Sequence, residues 1–255
     1  MMNRYLKNLC KIEFVITNAC TGRCRHCSEG EHTASGESID PNAASEAVRK
    51  IVCEYDIKTV MTFGGEPLLF SDTVCEIMRT ACELNVPKRQ VITNGFFTKD
   101  KDTMTKTAKK LSACGVNDLL LSVDAFHQET IPLDTVKEFA REVQKCDIPL
   151  RLQPAWLISS TDKNPYDLKT REIIDSFREL DIYENEGNVV FPEGNALKYL
   201  SEYFQGKSVQ NPYVEDPYDV KCVSFSPDGA VLGGNIYMHD IVDILNNYDP
   251  EKSEI

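Results

Sequence analysis

The chain has 255 residues and a formal net charge of −12, with 42% hydrophobic and 27% charged residues. That composition is globular and excludes wholesale disorder, collagen and coiled coil, and the excess of 40 acidic over 28 basic residues disfavours nucleic acid as the main partner. No stretch approaches the ~18 apolar residues of a membrane span, and the short N-terminal apolar run lacks a small-residue cleavage site. The expected compartment is therefore the cytoplasm, where ten cysteines read as metal ligands or buried apolar residues instead of disulfides.

In chain order, β-branched apolar runs predict strands over 11–17, 59–63, 90–93, 118–123, 149–153 and 188–191. Helical patterns lie between and after them, over 41–55, 72–84, 99–113, 133–146, 167–180 and 195–204. Asp40 before Pro41 suits an N-cap followed by proline at the first helical position. Ser71 and Asp72 open the second helix, and Gly115 closes the third. Strand–helix units in this number imply a mainly parallel sheet with helices outside, an α/β fold. It is either an open partial (β/α)6 barrel, the TIM-like arrangement favoured here, or a doubly wound sheet. In both, chemistry gathers at the C-terminal ends of the strands, and every unusual segment (18–30, 64–67, 94–95, 122–124, 192–195) follows a strand. After about residue 208 the pattern changes. Residues 211–219 are rich in Pro, Tyr and acid, 222–234 read as a hairpin turning at Pro227, Asp228 and Gly229, and a short helix follows near 238–247. The expected organisation is a barrel domain over 1–210 and a C-terminal appendage over 211–255.

Cys20, Cys24 and Cys27 crowd one loop directly after the first strand, among Thr, Gly, Arg and His residues that cannot form a core. Soft thiolates select zinc or iron–sulfur. A zinc site wants four ligands, and His26 or His32 stands near enough in sequence to be the fourth. A ferredoxin-type cluster wants four cysteines, and none stands nearby, Cys10 and Cys53 being the neighbours in sequence. Three thiolates on a cubane leave one iron open for a non-protein ligand.

Cys-x3-Cys-x2-Cys in this position resembles the radical S-adenosylmethionine (radical SAM) superfamily, over about residues 10–205. The resemblance implies that Cys20, Cys24 and Cys27 hold a [4Fe–4S] cluster. Its open iron would take S-adenosylmethionine, and an electron would split the sulfonium to give a 5′-deoxyadenosyl radical that removes hydrogen from substrate. It further implies an external electron donor such as flavodoxin or ferredoxin. Gly64, Gly65 and Glu66 match the family motif for the methionine ammonium, with the Glu66 carboxylate as the expected partner of that group. Asn94 falls where relatives approach the cofactor, and Ser122 and Asp124 fall where they hold ribose hydroxyls or the methionine carboxylate.

Arg151 interrupts an apolar strand and needs a partner, either a neighbouring acid or the cofactor's carboxylate. His127, Glu193 and Asn195 are candidate substrate contacts at the same rim. The tail from Cys222 resembles the start of the cysteine-rich (SPASM-like) extension of peptide-modifying relatives. It has no further cysteine, so no auxiliary cluster is expected. The substrate is a small molecule or a peptide, and neither a nucleic acid nor a membrane is an expected partner. Two rival readings are a zinc or iron–sulfur module without catalysis and an inactive scaffold of this fold.

Overall fold

The computed structural model describes residues 3–206 and 209–252. The chain ends that the two expected domains include at 1–2 and 253–255 lie outside the described residues. The elements run β1 (Lys11–Val15), α1 (Pro41–Glu54), β2 (Thr59–Phe63), α2 (Ser71–Glu83), β3 (Lys88–Thr93), α3 (Lys101–Ala113), β4 (Asp118–Ser122), α4 (Ala125–Gln128), α5 (Leu133–Gln144) and β5 (Leu150–Gln153). There follow β6 (Ala155–Trp156), α6 (Pro165–Asp175), β7 (Tyr183–Glu184), β8 (Asn188–Val189), α7 (Gly194–Tyr199), β9 (Cys222–Phe225), β10 (Ala230–Val231), β11 (Gly234–Asn235) and α8 (Ile241–Asn247). Among these residues no helix is long and apolar enough to cross a membrane.

The main sheet has seven strands in the order β7-β5-β4-β3-β2-β1-β9, every pair parallel. With helices on its outer side this is the open, partial TIM-like barrel. Caps fix the helix starts as the sequence suggests. The Asp40 carboxylate accepts from Ala43 N at 2.7 Å and Asp100 from Thr103 N at 2.8 Å. Helix α6 starts two residues earlier than expected because Asn164 caps it and Pro165 takes the first position.

Alternation places the core outside the barrel. Ile12, Phe14, Val60, Val91, Leu119 and Leu121 are buried against the helices. Their neighbours Lys11, Glu13, Met61, Gln90, Leu120 and Ser122 face a cavity of about 710 Å³ inside.

Two expectations are corrected. The sixth sheet position belongs to Tyr183–Glu184, and Asn188–Val189 pairs instead with Ala155–Trp156. Pro154 has no N–H to continue the ladder, and Gly187, at φ +78°, sits so close that a Cβ would lie 2.4 Å from the Pro154 carbonyl oxygen. Both strands therefore break at the same level.

The second correction concerns the tail. Cys222–Phe225 leads into the expected turn at Pro227–Gly229, where Ser226 N donates to Ala230 O at 3.0 Å, but it does not pair along its length with the chain beyond that turn. It is the seventh strand of the sheet, in parallel register with Lys11–Phe14, while a small hairpin joins β10 to β11. The boundary at 210/211 therefore cuts one sheet. The physical reason is burial: Phe225 stacks on Phe14 at 4.7 Å between centroids, and both are fully buried. Helix α8 then ties down the chain start through Asn3, whose amide donates to the carbonyls of Leu245 and Tyr248.

Truncating Phe225 to alanine is expected to cost ~3–5 kcal/mol, the range for a buried aromatic. Urea unfolding of the variant measures it, and a change below ~1 kcal/mol would mean that the tail stands apart from the barrel.

Candidate functional site

The loop after β1 carries the three cysteines, and three other rim segments grip its backbone. After β2, Gly65 N donates to Thr17 O and Glu66 N to Ala19 O, both at 2.8 Å. Gly65 is pressed so close that a Cβ would lie 2.1 Å from the Ala19 oxygen. After β8, Asn195 N donates to Cys27 O at 2.9 Å, and its side-chain amide donates to Cys24 O and Gly30 O at 3.2 and 3.1 Å. Gly194, at φ +49°, has no space for a Cβ beside Ser28 O. After β4, the Thr130 hydroxyl accepts from Arg23 N at 3.0 Å. So held, the loop places Cys20, Cys24 and Cys27 on the wall of the cavity together with Gly64, Gly65, Asn94, Ser122 and Asp124.

Burial holds the three thiols in their protonated form. Burial pushes Cys20 up to about 11, and raises Cys24 and Cys27 as well, so all three keep their protons until a cation displaces them. All ten cysteines are free of disulfides. The Asn94 amide donates to Cys20 Sγ at 3.6 Å and to Thr21 Oγ1 at 3.2 Å. His32 donates from Nδ1 to Asn18 O at 2.8 Å, which leaves its Nε2 facing Cys27 Sγ at 3.2 Å. The ligand atoms of Cys24, His26 and His127 lie within 4.8 Å of one another. Burial lowers His26 to about 4, so its ring is neutral; it stacks on Phe126 with Nδ1 unpartnered. Soft donors around a recess, with glycine backbone alongside, fit a thiolate-held cluster that has one open position.

Three sequence-derived assignments change. The Glu66 carboxylate does not face the cavity. It is fully buried and accepts from Leu68 N at 2.9 Å, Thr93 Oγ1 at 2.7 Å and Asn94 N at 2.8 Å, bracing the exit of β2 against that of β3. Arg151 lines the cavity but pairs with Asp118, at 2.6 Å, near the opposite end of the strands. Its partner is the neighbouring acid of the two alternatives, because an unpaired charge there is costly. Asn195 clasps the cysteine loop, its side-chain N–H groups being spent on Cys24 O and Gly30 O, and it is absent from the cavity lining.

Asp124 is buried, with its oxygens taken by His127 N, His127 Nδ1 and Ala155 N. Burial alone would raise its pKa, but the His127 imidazole and these hydrogen bonds outweigh that and hold it at about 2. Asp124 thus orients His127, which stays at the rim of the cavity, as does Glu193 with Asn211 bonded to it. Sequence reasoning gave no role to Thr93, Thr130 and Gly194, whose signal was only their place at or beyond strand ends.

Burial raises Glu66 to about 7, against the pull of its three hydrogen bonds. An unfolded glutamate titrates near ~4.3, so between these values the folded chain holds the extra proton and stability falls as pH rises, levelling off above about 7. A Glu66→Gln variant is expected to lose that pH slope. It should also be destabilised by ~1–3 kcal/mol, because one amide N–H would face a backbone donor. Denaturation of the cluster-free protein at pH 5 and pH 8 checks both.

A family model for the radical SAM superfamily matches residues 14–150. A relative from Saccharolobus islandicus (strain L.S.2.15 / Lassen #1), described as a probable GTP 3',8-cyclase, is 28% identical and aligns over 100% of this chain and 92% of its own length. One from Methanocaldococcus jannaschii with the same description is 25% identical over 51% of the chain and 41% of its length. Among solved structures, anSMEcpe with bound AdoMet superposes with a TM-score of 0.60 at 16% identity, covering 94% of this chain and 77% of that one. BtrN in complex with AdoMet and 2-DOIA gives 0.52 at 16% identity, covering 94% and 82%. At these identities the structural likenesses establish the fold.

Proposed function

Because the chain belongs to the radical SAM superfamily, we propose that Cys20, Cys24 and Cys27 are the protein ligands of its [4Fe–4S] cluster and that the cavity below them receives the substrate. The cluster and S-adenosylmethionine, when bound, supply reductive cleavage of the sulfonium and a 5′-deoxyadenosyl radical that takes a hydrogen atom from substrate. The observation that carries the assignment is the loop clasped by Gly65, Glu66 and Asn195, which leaves three soft donors on one cavity wall.

The chain's own residues have separate tasks. Gly64 and Gly65 bring bare backbone to the cavity wall for the methionine ammonium, while the Glu66 carboxylate is spent on Leu68, Thr93 and Asn94. Asn94 donates to the Cys20 sulfur. Hydrogen bonds to a cluster's sulfurs help to set its potential. Ser122, at the end of β4 on the cavity wall, takes a ribose hydroxyl or the carboxylate in this reading. His127, oriented by Asp124, and Glu193 stand where substrate passes.

The probable GTP 3',8-cyclases are named for a nucleoside triphosphate, and that substrate is not carried over. The cavity wall presents Lys11, Lys88 and Arg151 against Glu13, Glu29, Asp124 and Glu193, with no surplus of cations for a triphosphate. A less highly charged small molecule or a peptide suits this lining better. Reductive cleavage of the sulfonium calls for an external one-electron donor such as flavodoxin or ferredoxin, and a cytoplasmic setting accords with ten unpaired thiols. Tyr213, packed edge-on against Phe191, lets the tail shape the cavity mouth. Cys222 lies in a strand beside Glu13 and binds no second cluster.

Anaerobic reconstitution is expected to give about four irons per chain, and dithionite with S-adenosylmethionine to release 5′-deoxyadenosine. Cys24→Ala should lose the cluster absorbance, and Cys222→Ala should keep it. A full cluster in Cys24→Ala, or about eight irons in the parent, would contradict the assignment.

A further inference from the structure

The cavity also reaches the N-terminal ends of the strands, far from the cysteine loop, where it meets charged side chains. Lys88 and Gln90 stand on β3, Asp118 opens β4 beside Gln90, and Arg151 lies on β5. Asp118 accepts from Gln90 Nε2 at 2.5 Å, from Arg151 Nη2 at 2.6 Å and from Lys88 Nζ at 3.1 Å. Arg151 Nη1 also donates to Asn185 Oδ1 at 3.3 Å, and Asn185 in turn donates to Gln153 Oε1 at 2.5 Å. Two cations thus share one carboxylate. Lys11 and Glu13 on β1 neutralise each other. In a chain of net charge −12, this floor carries an excess of positive charge, while the mouth carries Glu29 and Glu193. An internal ion pair needs only Arg151 and Asp118. The second cation on the same carboxylate, with its side chain 46% exposed, is left facing the cavity.

We propose that this floor is an oxyanion subsite, in which Lys88 and Arg151 bind one carboxylate or phosphate of the substrate. Gln90, Asn185 and Gln153 hold the guanidinium and its acid in place. The proposal rests on reading the cavity as the substrate chamber. At ~3.3 Å per residue, the four steps from Asp118 to Ser122 span ~13 Å. The substrate's anion therefore sits well away from the carbon that loses hydrogen.

The test is saturation-transfer NMR on the reconstituted protein with benzoate, phenyl phosphate and the neutral benzamide. At least one anion is expected to bind, at least ~10-fold more weakly to Lys88→Gln than to the parent, with binding kept in Lys88→Arg and absent for benzamide. The tighter anion identifies the carboxylate or phosphate source. Binding of neither anion, equal binding of benzamide, or unchanged binding in Lys88→Gln would overturn the subsite. S-adenosylmethionine affinity is measured on the same samples. Its absence in the parent would strike the proposed function, whereas normal cofactor binding without Lys88-dependent anion binding would strike this subsite alone.

Discussion

The site depends on a backbone contact. Strand β2 is followed by two glycines, and the second is packed flat against the peptide that leads into the cysteine loop, with Gly65 N and Glu66 N bonded to Thr17 O and Ala19 O. Nothing larger than hydrogen fits on Gly65, so the strand exit and the loop approach to hydrogen-bonding distance along their main chains. Glu66 then locks this corner to the next strand by receiving the N–H of Asn94 and the hydroxyl of Thr93. A buried carboxyl carries a desolvation cost, and here it is offset by joining the exits of two strands. The cysteine thiols take their positions from that scaffold, with Asn195 closing the far side of the loop.

The same alternation that packs the helices leaves the barrel hollow. Alternate positions along each strand divide, with Ile12, Phe14, Val60, Val91, Leu119 and Leu121 outward under the helices and a mixed lining inward, in which Lys, Glu, Gln and Arg stand beside Met61, Phe63, Ile92 and Leu120. A closed eight-stranded barrel fills its interior with layers of side chains. With seven strands and no pairing between β7 and β9, the interior stays open as a chamber. Its polar side chains bond to one another around Asp118 and do not collapse into a core.

Much of this was legible from local chemistry. Asp40–Pro41, the strand–helix rhythm and the three closely spaced cysteines each carry a short-range signal, and the structure places their elements where that signal points. Long-range and directional features were not legible. The pairing of Cys222–Phe225 with β1 spans most of the chain, and a turn at Pro227–Gly229 resembles a hairpin turn whichever strand precedes it. A motif such as Gly-Gly-Glu names residue types but does not say which way the carboxylate turns. Neighbouring donors from another strand, Thr93 and Asn94, decided that. Asn195 has the same limit: its place after a strand suggested a ligand contact, whereas its amide fits the carbonyls of the loop.

The most direct measurement of the central claim is the iron and sulfide content, with the electron paramagnetic resonance of the reduced cluster, in Gly65→Ala. All three cysteines remain in that variant, and only the close approach of β2 to the loop is disturbed, since a Cβ would lie 2.1 Å from the Ala19 oxygen. The expected result is a chain that retains far less than the parent's iron and shows little of its reduced-cluster signal. A parent-like cluster in Gly65→Ala would contradict the claim that this backbone contact builds the site.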